Sequence, residues 1–261
     1  MDLGLTDRAC VITGASRGIG LSTARALAEE GASVLLVGRS QDALDRAAEQ
    51  SGGGATLALD VTLPDAGERL LQACLDEFGR IDALVNNAGT SAVRRLDQLT
   101  DDDWQAQWDL HVMAPMRAMR AAAPAMAERG WGRIVNVSSS SGKRPSGTNM
   151  SYSVTKAAEL SLSRAFADLY AGQGVLVNAV APGPVGTELW LAPGGMADQA
   201  AEARGVSREE VLEQLAARNP VGRLATEEEV AAVIAFLCSE RASYVAGSAW
   251  SVDGGTVPVI L

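Results

Sequence analysis

The 261-residue chain is short of cysteine, of aromatic side chains and above all of histidine. Its three cysteines, Cys10, Cys74 and Cys238, are odd in number and lie far apart. That pattern excludes a disulfide framework and offers no metal-ligand spacing, so no metal is expected. Free buried thiols in a reducing cytoplasm are the simpler account. Positive charge is also scarce: 22 Lys and Arg face 32 Asp and Glu, for a net charge of −10. Such a chain repels the phosphates of nucleic acids and anionic membrane surfaces. No uninterrupted apolar run reaches the roughly 18 residues that suggest a membrane-spanning helix. The stretch from Met1 to Arg8 has no basic region followed by an apolar core, so no secretory leader is expected.

What is present suits one globular α/β domain over 1–261. Hydrophobic residues make up 47% and charged residues 21%. Short β-branched and apolar runs at 9–13, 33–37, 55–59, 83–85, 133–137, 175–180 and 249–252 predict strands. Helical patterns lie between them at 18–30, 41–50, 65–78, 101–128, 150–171 and 227–238. Continuously apolar strands are what a parallel sheet covered on both faces requires. Their alternation with helices predicts right-handed crossovers and a Rossmann-type, doubly wound parallel sheet of about seven strands with helices on both faces. The long stretch 183–223 is predicted to be irregular apart from a polar helix over 207–218. A connection of that length is usually functional, and it is the candidate substrate lid.

Two local patterns carry chemistry. Tyr152 and Lys156 are four residues apart, which puts them on one face of a helix. An ammonium beside a phenol favours the phenolate and lowers its pKa from about 10. Between the first strand and first helix lies Thr13-Gly-Ala-Ser-Arg-Gly-Ile-Gly20, with glycines at 14, 18 and 20. These let the chain turn sharply and leave room for a pyrophosphate at a helix N-terminus. The end of the second strand reads Gly38-Arg39-Ser40, with no carboxylate to bond adenosine ribose hydroxyls and repel a 2′-phosphate. Arg39 and Arg17 could grip such a phosphate through guanidinium hydrogen bonds. The alternative is that both arginines are solvated surface charges.

The glycine spacing, Asp60-Val61, Asn86-Asn-Ala-Gly89, Ser139, Tyr152 with Lys156, Pro182-Gly-Pro-Val-Gly-Thr187 and Val252-Asp-Gly-Gly255 follow one another along the chain. In that order they resemble the short-chain dehydrogenase/reductase superfamily, in its single-domain branch, including 3-oxoacyl-carrier-protein reductase-like members. The resemblance implies hydride transfer between a nicotinamide and a carbonyl carbon, interconverting a secondary alcohol and a ketone; with no acid at the end of the second strand, NADP is expected over NAD. It implies that Tyr152 exchanges the matching proton, Lys156 lowers its pKa and holds the nicotinamide ribose, and Ser139 bonds the substrate oxygen. Ser138 is the alternative serine. Cofactor contacts are implied for Gly14, Ser16, Arg17, Gly18, Ile19 and Gly20 of the turn, with Arg39, and for Asp60 and Val61 at the adenine. Asn87, Ala88 and Gly89 are expected at the ribose, and Pro182, Gly183, Val185 and Thr187 towards the nicotinamide, where Tyr152 and Lys156 also meet it.

One position departs from the family. His111, seven residues past Trp104, stands where relatives usually carry an asparagine that helps hold a helix distortion and a water linked to the lysine. Two roles stand open for it: a substitute in the proton relay, since imidazole both donates and accepts, or a residue packed within the helix. Substrate-facing residues are expected from 90–95, 141–150 and 183–223. Arg94, Arg95, Lys143 and Arg144 would suit an acidic substrate, although surface solvation explains them as well. Trp190 and Leu191 either close over substrate or anchor their segment. The family resemblance implies a homotetramer, with helices 101–128 and 150–171 at one interface and the C-terminal strand region at another. The alanine-rich run 118–127 and the apolar tail from Val257 to Leu261 are compatible with close subunit contact. The rival readings are a 3-oxoacyl-carrier-protein reductase specifically, a nucleotide-sugar enzyme of the extended branch, and a nonenzymatic nucleotide sensor on the same fold.

Overall fold

The computed structural model describes residues 2–258. Seven strands form one parallel sheet: β1 (Ala9–Thr13), β2 (Ser33–Gly38), β3 (Ala55–Ala58), β4 (Ala83–Asn86), β5 (Gly132–Val137), β6 (Val175–Pro182) and β7 (Ala249–Val252). Their order is β3-β2-β1-β4-β5-β6-β7. The principal connecting helices are α1 (Gly18–Glu29), α2 (Gln41–Gln50), α3 (Ala66–Phe78), α4 (Asp101–Trp108), α5 (Ala114–Glu128), α6 (Ser140–Lys143) and α7 (Met150–Tyr170). After β6 come α8 (Glu188–Leu191), α9 (Met196–Arg204), α10 (Arg208–Arg218) and α11 (Glu227–Cys238).

Every residue of β1, β4 and β5 is buried, as a sheet covered on both faces demands. The strand period of two divides the core. Cys10 and Ile12 of β1, with Val34 and Leu36 of β2, pack under one layer with Ala24 and Leu27 of α1 and Ile234 of α11. Ala9, Val11, Leu35 and Val37 face the other way, against Leu70 of α3, Met119 of α5 and Ala167 of α7. The strand order reverses at β1, whose neighbours are β2 and β4. The loops leaving the carboxyl ends of β1 and β4 therefore diverge, which opens the crevice where doubly wound sheets bind ligands.

Two expectations are corrected. The helix over 101–128 is not continuous: a π-helical turn, Asp109–Met113, separates α4 from α5. Pro115 explains it, because it has no N–H to return to the carbonyl of residue 111. The ladder instead resumes with Ala114 N–H donating to Asp109 O, one residue wider than an α-turn. The stretch 183–223 carries three helices, not one. Met196–Arg204 was obscured by the Pro193-Gly-Gly195 run before it, although its alanines, Gln199 and Glu202 are helix formers. Ala200, Ala201 and Val211 give this region a small core of its own. Of the tail expected at an interface, residues 259–261 lie outside the described residues. No helix among the described residues is long and apolar enough to cross a membrane.

Candidate active site

A cleft of about 510 Å³ lies over the carboxyl ends of the strands. It is lined by Gly14, Ser16, Arg17, Gly18, Ile19, Arg39, Asp60, Val61, Asn87, Ala88 and Gly89. Ser139, Tyr152, Lys156, Pro182, Gly183, Val185 and Thr187 line it too. Gly20 and His111 are not lining residues.

Backbone geometry keeps the floor of the cleft clear. Gly14 has φ +65°, and a Cβ there would sit 2.8 Å from Ala88 Cα. Gly20 packs so tightly that a Cβ would lie 2.3 Å from Gly14 O. The Thr13 hydroxyl accepts from the N–H groups of Asn87 (3.0 Å) and Ala88 (3.1 Å). Asn87 Nδ2 donates back to Thr13 O and Gly14 O. The loops after β1 and β4 are thus clasped together, through a threonine that sequence reasoning had placed only as the start of the turn. At the far end, the Val252-Asp-Gly-Gly255 turn supports Gly183, where a Cβ would meet Asp253 Cα at 2.9 Å. This shaped hollow beside the N-terminus of α1 fits a dinucleotide.

The end of the cleft at Arg39 and Asp60 is charged. Thr62 bonds hold the Asp60 carboxyl below the usual carboxylate range, with a smaller contribution from nearby Arg39. Arg17 is engaged elsewhere, pairing with Glu188 of α8 at 3.0 Å across the mouth of the cleft.

The reactive end is assembled by β5 and α7. Ser139 is 8% exposed and caps α6, accepting from Ser141 N at 3.1 Å. Its own O–H therefore remains to be donated. Ser138, the alternative serine, spends its hydroxyl on Lys156 O at 2.8 Å and so ties β5 to α7. Lys156 is 3% exposed, with Nζ 5.8 Å from the centroid of the Tyr152 ring. Nζ donates to Val137 O (2.8 Å) and to Glu159 Oε2 (2.9 Å).

His111 is fully buried in the π turn and meets the Tyr152 ring edge-on at 5.2 Å. Its Nε2 accepts from Thr90 N at 3.3 Å, and its Nδ1 lies 3.1 Å from Thr155 Oγ1. A backbone N–H can only donate, so Nδ1 carries the ring proton and donates to Thr155, whose hydroxyl donates to Tyr152 O. Burial, with Lys156 nearby, pushes the imidazole pKa well below its ordinary value. A neutral ring thereby fastens the loop after Gly89 to α7.

The three segments expected to face substrate meet. Arg94 N donates to Thr148 O, and Val93 N to Gln199 Oε1. The segments 90–95, 141–150 and 183–223 are thus joined around one opening. The lining here also includes Ser91, Gln107, Asn149, Leu189, Trp190 and Met196. None of Arg94, Arg95, Lys143 and Arg144 lines the cleft. Arg94 pairs with Asp103, Arg95 with Asp97, and Lys143 bonds Ala249 O and Ser251. Trp190 faces the cleft, whereas Leu191 does not line it.

Comparison with known proteins agrees with this geometry. Residues 14–257 match the family model described as enoyl-(acyl carrier protein) reductase, of the short-chain type. The chain is 37% identical to the uncharacterized oxidoreductase YvrD of Bacillus subtilis, covering 98% of this chain and 99% of that one. It is 39% identical to cis-4-hydroxycyclohexanecarboxylate dehydrogenase of Sinomonas cyclohexanicum, covering 97% and 98%. The crystal structure of L-sorbose reductase from Gluconobacter frateurii, complexed with NADPH and L-sorbose, superposes with a TM-score of 0.92 at 36% identity, covering both chains fully. The chain belongs to the short-chain dehydrogenase/reductase family and is an oxidoreductase of that family.

Proposed function

We propose that the protein interconverts a secondary alcohol and a ketone with NADP(H), using Tyr152 as the proton-transfer group. The observation that carries this reading is the convergence in one cleft of Tyr152, Lys156 and Ser139 with the glycine turn. When bound, NADP(H) supplies the hydride donor or acceptor. The glycine turn and the Asn87–Gly89 loop hold it, Asp60 and Val61 take its adenine, and Thr187 its carboxamide. Arg39 grips the 2′-phosphate, since β2 ends without a carboxylate. Tyr152 delivers its hydroxyl proton to the carbonyl oxygen in reduction and removes it in oxidation. Lys156 places its ammonium on the same helix face, with Nζ 5.8 Å from the Tyr152 ring centroid. Ser139 donates its free O–H to the same substrate oxygen as charge gathers there. His111 acts by position rather than as a relay: its ring nitrogens are committed to Thr90 and Thr155.

The substrate is small, uncharged and polar. The charged lining residues are Arg17, Arg39, Asp60, Lys156 and Glu188, and the substrate segments contribute only Glu188, already paired with Arg17. Ser91 Oγ and Gln107 Oε1 are buried without a protein partner, and both residues line the cleft. Substrate hydroxyls would satisfy them. The acidic chain supplies no long-range attraction for an acidic acyl carrier protein.

The protein works as a homotetramer in the cytoplasm. Trp108 of α4 and Val154 and Leu169 of α7 are apolar yet exposed on the two helices expected to pair. The three cysteines are free and buried, as in a reducing compartment.

A panel of ketones and alcohols, followed by nicotinamide absorbance with NADPH and NADH in parallel, tests the reaction. Tyr152→Phe is expected to lose turnover by at least about 100-fold while NADPH affinity stays near wild type. Near wild-type turnover in that variant, or higher efficiency with NADH, overturns the corresponding assignment.

A further inference from the structure

Lys156 does not stand alone in the core. Glu159 follows it by one helical turn, and Nζ and Oε2 are 2.9 Å apart with the two side chains 4% and 3% exposed. A buried ion pair is rarely the most stable choice, since well-packed apolar residues often do as well or better. The pair therefore calls for a functional explanation.

The Glu159 backbone carbonyl is tied to β5 and β4 by a chain of hydrogen bonds, while its carboxylate bonds Lys156. Ser163 Oγ donates to Glu159 O, Asn136 Nδ2 donates to Ser163 Oγ, and Asn86 Nδ2 donates to Asn136 Oδ1. Other elements face the carboxyl region with Thr13 of β1, Asn86 of β4, Leu70 of α3, and Ala114 and Ala118 of α5, none of them ionisable. The titratable neighbours of the pair are Tyr152 on α7 and the neutral His111 of the π turn. An ammonium has three N–H donors. Two are fixed on Val137 O and Glu159, which leaves one to face the cleft.

We propose that Glu159 is a positioning residue of the reaction: its carboxylate fixes the direction of the Lys156 ammonium and sets how much positive field reaches Tyr152. With Glu159 ionised, the pair is nearly neutral and little of the ammonium's field reaches the phenol. With Glu159 protonated, the full field of the ammonium acts on the phenol. The inference rests on Tyr152 being the proton-transfer group. Burial, only partly offset by Lys156, pushes the Glu159 carboxyl up to about 7, so the adjustment falls in the working pH range.

The test uses the scarcity of lysine. The chain holds two, Lys143 and Lys156. Protein labelled with ¹³C-lysine therefore gives two side-chain Cε signals, followed by NMR from pH 5 to 9. Lys156 is expected to report a titration step near pH 7 that Lys143 lacks, and the step is expected to vanish in Glu159→Gln. Glu159→Gln is also expected to move the pH profile of alcohol oxidation acidward by about one unit, because removing an anion lowers the pKa of each neighbour. A purely structural role would lower the melting temperature and leave the profile in place. Absence of the step in the wild type, its persistence in Glu159→Gln, or superimposable kinetic profiles would overturn the proposal. The wild-type titration decides the matter even if Glu159→Gln does not fold. An active Tyr152→Phe would instead overturn the reaction assignment and leave the lysine titration intact.

Discussion

At the scale of single residues, His111 ties chemistry to stability. Folding buries its imidazole in the neutral form. Below its ordinary pKa of about 6.5 the unfolded chain binds a proton at this residue that the folded chain refuses. Its contribution is therefore intact above pH 6.5 and is lost as the pH falls towards the depressed folded value. The loss is at most about 1.4 kcal/mol per pH unit. In thermal melts between pH 7 and pH 5, wild type is expected to lose stability more steeply than His111→Asn. Parallel curves would mean that the ring is protonated in the folded protein. The family resemblance, with its register to Trp104, implied a helix distortion at His111; its edge-on contact with Tyr152 came only from the structure. Its bonds to Thr90 and Thr155 were not legible in the sequence, because they join residues 21 and 44 positions away.

Among the elements, the glycine turn was the most legible and the helix after β4 the least. The turn is a local matter of φ and of missing Cβ atoms, and both are written in residue type. Gly20→Ala would force a methyl group against Gly14 O and the Asn87 side chain. Overpacking of this kind costs about 1–3 kcal/mol. The variant is expected to melt lower and, where folded, to bind NADPH at least tenfold more weakly by fluorescence titration; unchanged affinity would show that the turn does not hold the cofactor. The π turn had a signal in Pro115, but a proline near a helix start is also an ordinary helix residue. The helix-forming alanines of α9 were likewise masked by the Pro193-Gly-Gly195 run before them. The place of α9 is decided by contacts with Val93 and α10.

Across the whole molecule, distant segments close on the cofactor groove. The Arg17–Glu188 pair joins the first loop to the region after β6, and both side chains are more than half exposed. Exposed pairs of this kind contribute roughly 0–1 kcal/mol, so Glu188→Gln is expected to melt like wild type. With Arg17 released and a nearby negative charge removed, NADPH is expected to bind severalfold more tightly at low salt, with the gain shrinking as salt rises. Unchanged affinity would place Arg17 outside the phosphate site. Sedimentation at micromolar concentration is expected to show a tetramer, and Val154→Glu combined with Leu169→Glu a smaller species. A wild-type monomer would remove the tetramer.

The sequence by itself determined the strand–helix alternation, the parallel sheet, the glycine turn and the Tyr152–Lys156 face. Each is a property of neighbours along the chain, set by periodicity, chirality and steric freedom. Only the tertiary structure decided that Ser138 is spent on α7 while Ser139 keeps a free O–H, that Arg17 is held by Glu188, and that the basic residues at 94, 95, 143 and 144 do not line the cleft. It also decided that Glu159 shares the buried ammonium. A helix pattern places Glu159 one turn from Lys156, but whether two charges meet in solvent or in a dry core depends on what the rest of the fold packs around them.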